Sequence, residues 1–145
     1  MIRRATLEDI DACLLMARRF FDESGVVEVG YSRDQMRETL TRLIDNPDAC
    51  LLVSGGEELT GMAAALAYPA YFNGQRVAQE LFWWVDPSAR GGMAGIKLLR
   101  HLEDWARSVE AVALTMVCLP IDSPAESVYQ RSGYRPSERS YMKAL

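Results

Sequence analysis

Apolar positions fall into two rhythms along the chain. Ile10, Cys13, Leu14, Ala17, Phe20 and Phe21 share one face of a 3.6-residue repeat, and Met36, Leu40, Leu43 and Ile44 repeat the pattern. Each stretch predicts an amphipathic helix. Thr6 caps the first, with Asp9 in the place of a capping-box acid, and Gly25 closes it. Ser32 caps the second, which stops before Asn46-Pro47. Residues 2–5 read as a short strand ahead of them. After the helices the rhythm changes. Residues 49–54 and 59–68 form a predicted hairpin around the turn Gly55-Gly56-Glu57-Glu58, and Asn73-Gly74 marks another turn. Residues 77–86 are apolar almost throughout, which predicts a strand in the middle of a sheet. Beyond a glycine-rich turn, Ile96, Leu99, Leu102 and Ala106 line a third helix, with Lys97, Arg100, Asp104 and Arg107 toward water. Residues 112–117 predict a strand. A short helix starts at Ser123-Pro124, capped by Asp122 or Ser123, and ends at Gly133. Residues 140–144 predict a last strand. The order β-α-α-β-β-β-α-β-α-β gives an α/β (α+β) architecture on a mixed sheet.

A length of 145 residues favours one domain spanning 1–145. No apolar run is long enough to cross a membrane, and the N-terminus lacks the apolar core of a secretory signal. With 16 basic and 20 acidic residues the net charge is −4, which argues against a nucleic-acid partner. Cys13, Cys50 and Cys118 are far apart, and with one histidine in the chain no metal-ligand spacing exists. Free, mostly buried thiols in a reduced, cytoplasmic setting are expected.

The densest chemical signal is Val85-Asp86-Pro87-Ser88-Ala89-Arg90-Gly91-Gly92-Met93-Ala94-Gly95, which joins the central strand to the third helix. Backbone N–H groups at a helix N-terminus lack intrahelical acceptors and can bind an anion. Glycine lets the main chain come close to a phosphate, and Arg90 adds a fixed positive charge; Lys97 could reach a peripheral phosphate. A Walker loop needs a Gly-Lys-Ser/Thr ending, which is missing, and the turn comes too late in the chain for a dinucleotide fingerprint.

This segment resembles the acyl-CoA site of the GNAT superfamily, whose motif Arg/Gln-x-x-Gly-x-Gly/Ala follows a strand ending near Val-x-Pro. Arg90 and Gly95 match the motif's ends, and Met93 stands where its middle glycine is usual. A branch found in phage and prophage proteins reads similarly, as Arg-Gly-Gly-x-Ala-Gly. Residues 125–134, Ala-Glu-Ser-Val-Tyr-Gln-Arg-Ser-Gly-Tyr, resemble the superfamily's Ala-x-x-x-Tyr-x-x-x-Gly-Phe/Tyr signature, although Asp122-Ser123 occupy the region of its common upstream Asn. The resemblance covers essentially the whole chain. It implies a mostly antiparallel mixed sheet flanked by helices on both faces. It implies acetyl-CoA as cosubstrate, cradled by Arg90, Gly91, Gly92, Met93, Ala94, Gly95 and Ile96, and a primary amine as acceptor.

Acetyl transfer to an amine needs a group to take the amine's proton. Glu80 is an acid set among Leu81, Phe82, Trp83 and Trp84, and burial would raise its pKa toward that of a useful base. It could equally face water at the strand's open end or pair with an arginine. By resemblance Tyr129 protonates the departing thiolate, and a backbone N–H at Trp84 or Val85 polarises the thioester oxygen. Cys118 has no histidine partner in the pattern and reads as a buried structural thiol. Phe21, Glu28, Tyr31 and Tyr68, with Tyr71 and Phe72, are candidate acceptor walls, since acid and aromatic rings suit a cationic amine. The same aromatic residues could instead pack in a homodimer. A non-catalytic acyl-CoA sensor or scaffold is the alternative.

Overall fold

The computed structural model describes residues 1–120 and 124–145. Its elements are β1 (Ile2–Arg4), α1 (Ile10–Ser24), α2 (Arg33–Asp45), β2 (Ala49–Gly55), β3 (Leu59–Pro69), β4 (Arg76–Val85), α3 (Ala94–Ser108), β5 (Leu114–Thr115) and α4 (Ala125–Arg131), with single 3-10 turns at Leu7–Asp9 and Pro87–Ala89. Among the described residues the strands form one sheet in the order β1-β2-β3-β4-β5, antiparallel except for the β4–β5 pair. No described helix is long and apolar enough to cross a membrane.

Local chemistry explains the helix ends. The predicted capping box forms, with the Thr6 N–H donating to Asp9 at 2.8 Å. Asp9 also takes two bonds from the Arg3 guanidinium, which holds its carboxyl well below the usual range, at about 2. The Ser32 Oγ accepts from the Gln35 N–H at 3.2 Å and starts α2.

The sheet separates two cores. On one side α1 and α2 pack Ile10, Leu14, Ala17, Leu40 and Leu43 against Leu51, Val53, Met62, Phe82 and Trp84. On the other, α3 packs Leu98, Leu102 and Trp105 against Cys50, Leu52, Ala63, Ala65 and Ala78. Each buried leucine contributes roughly 1.5–3 kcal/mol of burial. The small alanines of β3 let α3 lie close to the sheet.

Three expectations need correction. Residues 140–144 form no strand; Tyr141, Met142 and Leu145 are exposed and no described strand pairs with them. β5 is two residues long rather than six, because its ladder with β4 stops where the Glu80 side chain takes the next backbone donor. Cys118 is exposed, while Cys13 and Cys50 are buried, with thiols pushed up to about 12 and about 11. The expected cap at Asp122 or Ser123 lies outside the described residues.

Candidate active site

A β-bulge organises the site. Ala64 lies opposite Phe82 and Ala65 opposite Glu80, so Leu81 is an extra residue in β4. Before the bulge, the Ala78 N–H points to β5 and donates to the Ala113 carbonyl at 2.9 Å. After it, the Asp86 N–H points to β3 and donates to the Thr60 carbonyl at 2.7 Å. The even-numbered residues have switched sides. Ladder alternation therefore turns the Trp84 N–H toward β3 and the Val85 N–H away from it, toward the open side of the strand. Of the two expected oxyanion donors, Val85 has the right aspect and Trp84 does not. The side chains switch as well: Ala78 belongs to the α3 core, Phe82 and Trp84 to the α1–α2 core.

β4 and β5 pair only at Ala78–Leu114 and Gln79–Thr115, and then they part. Glu80 and Tyr129 meet at this fork. The Val117 N–H donates to Glu80 Oε2 at 2.8 Å, and the Tyr129 hydroxyl donates to the Val117 carbonyl at 2.7 Å. Glu80 is 5% exposed. It neither faces water nor pairs with an arginine. Burial pushes its carboxyl up to about 7, against the smaller opposing effect of the Val117 N–H. Burial, and then the nearby Glu80 charge, push the Tyr129 hydroxyl far above its ordinary value. Tyr129 therefore keeps its proton at any working pH. Its ring sits 5.5 Å from Trp83 and 5.7 Å from Tyr134, whose hydroxyl donates to Glu103 at 2.9 Å. These contacts fix the position of the α4 tyrosine.

The turn after β4 is open. Gly91 has φ +86°, a left-handed conformation that a side chain would strain, and a Cβ there would meet nothing within 4 Å. Lys97 is the first residue of α3 whose N–H finds a helical acceptor, the Met93 carbonyl at 2.9 Å. The N–H groups of Ala94, Gly95 and Ile96 lie in the unpaired first turn, where an anion can bind. Met93 is half exposed at the N-cap. Gly95 has a second task. A Cβ there would stand 3.3 Å from the Trp83 ring, and the Gly95 carbonyl accepts from Trp83 Nε1 at 3.1 Å, so this glycine lets α3 pack on β4. Arg90 is not free. It donates to the Val85 carbonyl at 2.8 Å and to Glu23 at 2.7 Å.

The candidate acceptor residues are only partly gathered. The Phe21 and Tyr31 rings lie 5.5 Å apart, with the Arg18 guanidinium over both. Glu28 is exposed on the α1–α2 loop. Tyr68 pairs with Val77, at the end of β4 opposite the turn, and Tyr71 and Phe72 stack on each other in solvent. Val117 and Glu23 escaped sequence reading. One acts through its backbone, and the other is a surface glutamate whose partner is far away in the chain.

A strand fork next to an open turn and a helix N-terminus can take an anion beside a buried acid and a protonated tyrosine. A model described as the acetyltransferase (GNAT) family matches residues 12–134. The chain belongs to that family. A search of curated proteins finds no match. Among solved structures the chain is similar to AAC(6')-Iy in complex with a bisubstrate analogue, CoA-S-monomethyl-acetylneamine (TM-score 0.82, 14% identity, 99% of this chain and 95% of that one). It is similar to a predicted acetyltransferase with acetyl-CoA from Clostridium acetobutylicum (TM-score 0.80, 16% identity, 99% and 94%). It is also similar to a ribosomal-protein-alanine N-acetyltransferase from Brucella melitensis biovar Abortus 2308 (TM-score 0.75, 16% identity, 100% and 99%). At these identities the likeness shows the fold.

Proposed function

We propose that the chain is an acetyl-CoA-dependent N-acetyltransferase, a single domain that passes an acetyl group directly to a primary amine in a ternary complex. The observation that carries the reading is the meeting of Glu80 and Tyr129 at the Val117 backbone, where β4 and β5 part. The open turn and the unpaired first turn of α3 fit a diphosphate, and solved relatives of this fold include complexes with acetyl-CoA and with a CoA-linked analogue. Bound acetyl-CoA supplies the acyl group as a thioester.

In this reading Arg90, Gly91, Gly92, Met93 and the N–H groups of Ala94, Gly95 and Ile96 hold the diphosphate. Glu80, with its carboxyl at about 7, is about half ionised at neutral pH and takes the amine's proton, directly or through water. The Val85 N–H faces the thioester oxygen. Tyr129, kept protonated, turns its hydroxyl from the Val117 carbonyl to the leaving sulfur. Phe21, Tyr31 and Glu28 form the acceptor wall, and Tyr68, at the other end of β4, stands apart from it. The exposed Tyr71, Phe72 and Tyr141 support a homodimer.

The test is release of CoA thiol from acetyl-CoA over a panel of primary amines. Wild type should turn over with at least one amine, and Tyr129→Phe about a hundredfold more slowly. Equal turnover removes Tyr129 from the chemistry. A second reading, a non-catalytic acyl-CoA sensor, draws on the fact that both polar groups are already bonded to Val117. Binding of acetyl-CoA without turnover on any amine would favour it.

A further inference from the structure

We propose that Glu23 holds Arg90 in a clasp that acetyl-CoA must open, so that cofactor affinity is set from the last turn of α1. The inference rests on the reading that Arg90 serves the diphosphate. Arg90 Nη2 donates to Glu23 Oε2 at 2.7 Å, and Nε donates to the Val85 carbonyl at 2.8 Å. The guanidinium stands 5.8 Å from the centre of the Trp84 ring, whose Nε1 donates to the same Glu23 oxygen at 3.4 Å. None of these partners is at the N-terminus of α3. Strand alternation also puts the Val85 carbonyl on the open side of the fork, so Arg90 covers a backbone acceptor there.

A second ion pair, Arg19–Asp86, runs beside the first. α1 presents a base and, one turn later, an acid; the β4–α3 connection answers with an acid and then a base. A cleft of about 390 Å³ lies alongside, lined by Arg19, Asp22, Glu23, Asp86 and Pro87. The Arg90–Glu23 side chains are 46% and 36% exposed, and a pair this open to water contributes little net stability. A diphosphate offers an arginine several charged oxygens in bidentate geometry and wins the exchange. Glu23, once released, has Arg19 one helical turn away and shares its guanidinium with Asp86. Glu23 is thus a positioning residue that acts through Arg90.

Isothermal titration with acetyl-CoA tests the clasp on four proteins: wild type, Glu23→Gln, Arg90→Ala and the double variant. Glu23→Gln should tighten binding about fivefold and Arg90→Ala should weaken it about tenfold, the range set by one exposed ion pair and one phosphate contact. The double variant should bind within about twofold of Arg90→Ala, because without Arg90 there is nothing for Glu23 to withhold. A purely structural Glu23 would instead weaken binding in both backgrounds and lower the melting temperature. Binding by wild type that is weakened by Arg90→Ala, with Glu23→Gln unchanged or weaker, overturns the clasp alone. No binding by wild type overturns the acetyl-CoA reading and the clasp with it.

Discussion

The two halves of β4 differ in what closes them. Residues 76–79 are bonded to β3 on one side and meet β5 on the other, with Ala78 packed in the α3 core and Arg76 tied to Asp48 and the Val109 carbonyl. Among the described residues, 82–85 pair with β3 alone, and on their other side only the Arg90 side chain meets the backbone, at the Val85 carbonyl. Leu81 separates the halves, and Glu80 sits at the boundary with its carboxylate in the place of a ladder acceptor. The same strand thus acts as a wall in its first half and as one lip of a cleft in its second. The inserted residue shifts the odd–even alternation of β4, so even-numbered side chains face α3 before it and the α1–α2 core after it.

Trp84→Ala should break this comparison most severely. The Trp84 ring is buried in the α1–α2 core under the open half of β4, and its loss would leave a large cavity there. We expect a fall in melting temperature above about 10 °C, read by circular dichroism, since emptying a buried tryptophan site costs about 3–5 kcal/mol. A variant that melts like wild type would mean that this ring does not anchor the open half.

Glu80→Gln sharpens the account through pH. The carboxyl is raised from 4.5 to about 7, so the folded protein binds more protons than the unfolded one between those values. Wild-type stability should therefore fall as pH rises from about 4.5 to about 7 and stay level above. The Gln variant lacks this loss and should gain on wild type at pH 8 relative to pH 5, by on the order of 2–3 kcal/mol. Parallel melting curves for the two proteins would show that Glu80 is not held as described.

Gly95→Ala should have the smallest effect. Its Cβ would press on a Trp83 ring that is held by the Gly95 carbonyl and by Tyr129, and α3 would have to lift slightly from the open half of β4. A loss of about 1 kcal/mol is expected, because overpacking here outweighs the better helix propensity of alanine. A gain in stability would show that the helix seat is loose.

The sequence reveals these two halves unequally. Helix faces, caps and the glycine turn can be read from it because each depends on near neighbours: Thr6 with Asp9, Ser32 with Gln35, Gly91 with Arg90. The bulge is invisible because Phe82, Trp83, Trp84 and Val85 are apolar on both faces, so no polar alternation shows where the register slips. The strand expected at residues 112–117 looks longer than it is because its pairing is cut by a glutamate on another strand. Cys118 was expected inside because free cysteines usually are, but the chain has left the sheet there. Arg90 reads as an unpaired phosphate ligand, yet a glutamate on α1 already holds it. The register slip, the short β5 and the held Arg90 each involve a long-range partner that local pattern does not encode.

The most direct test of the central claim is the pH dependence of kcat/KM for wild type and Glu80→Gln, with an amine that wild type acetylates. The account predicts a wild-type limb that rises through about pH 7 and a Gln variant that is slower by about a hundredfold and lacks that limb. Equal rates with the same limb in both proteins would contradict it, and would place the base elsewhere than at the fork of β4 and β5.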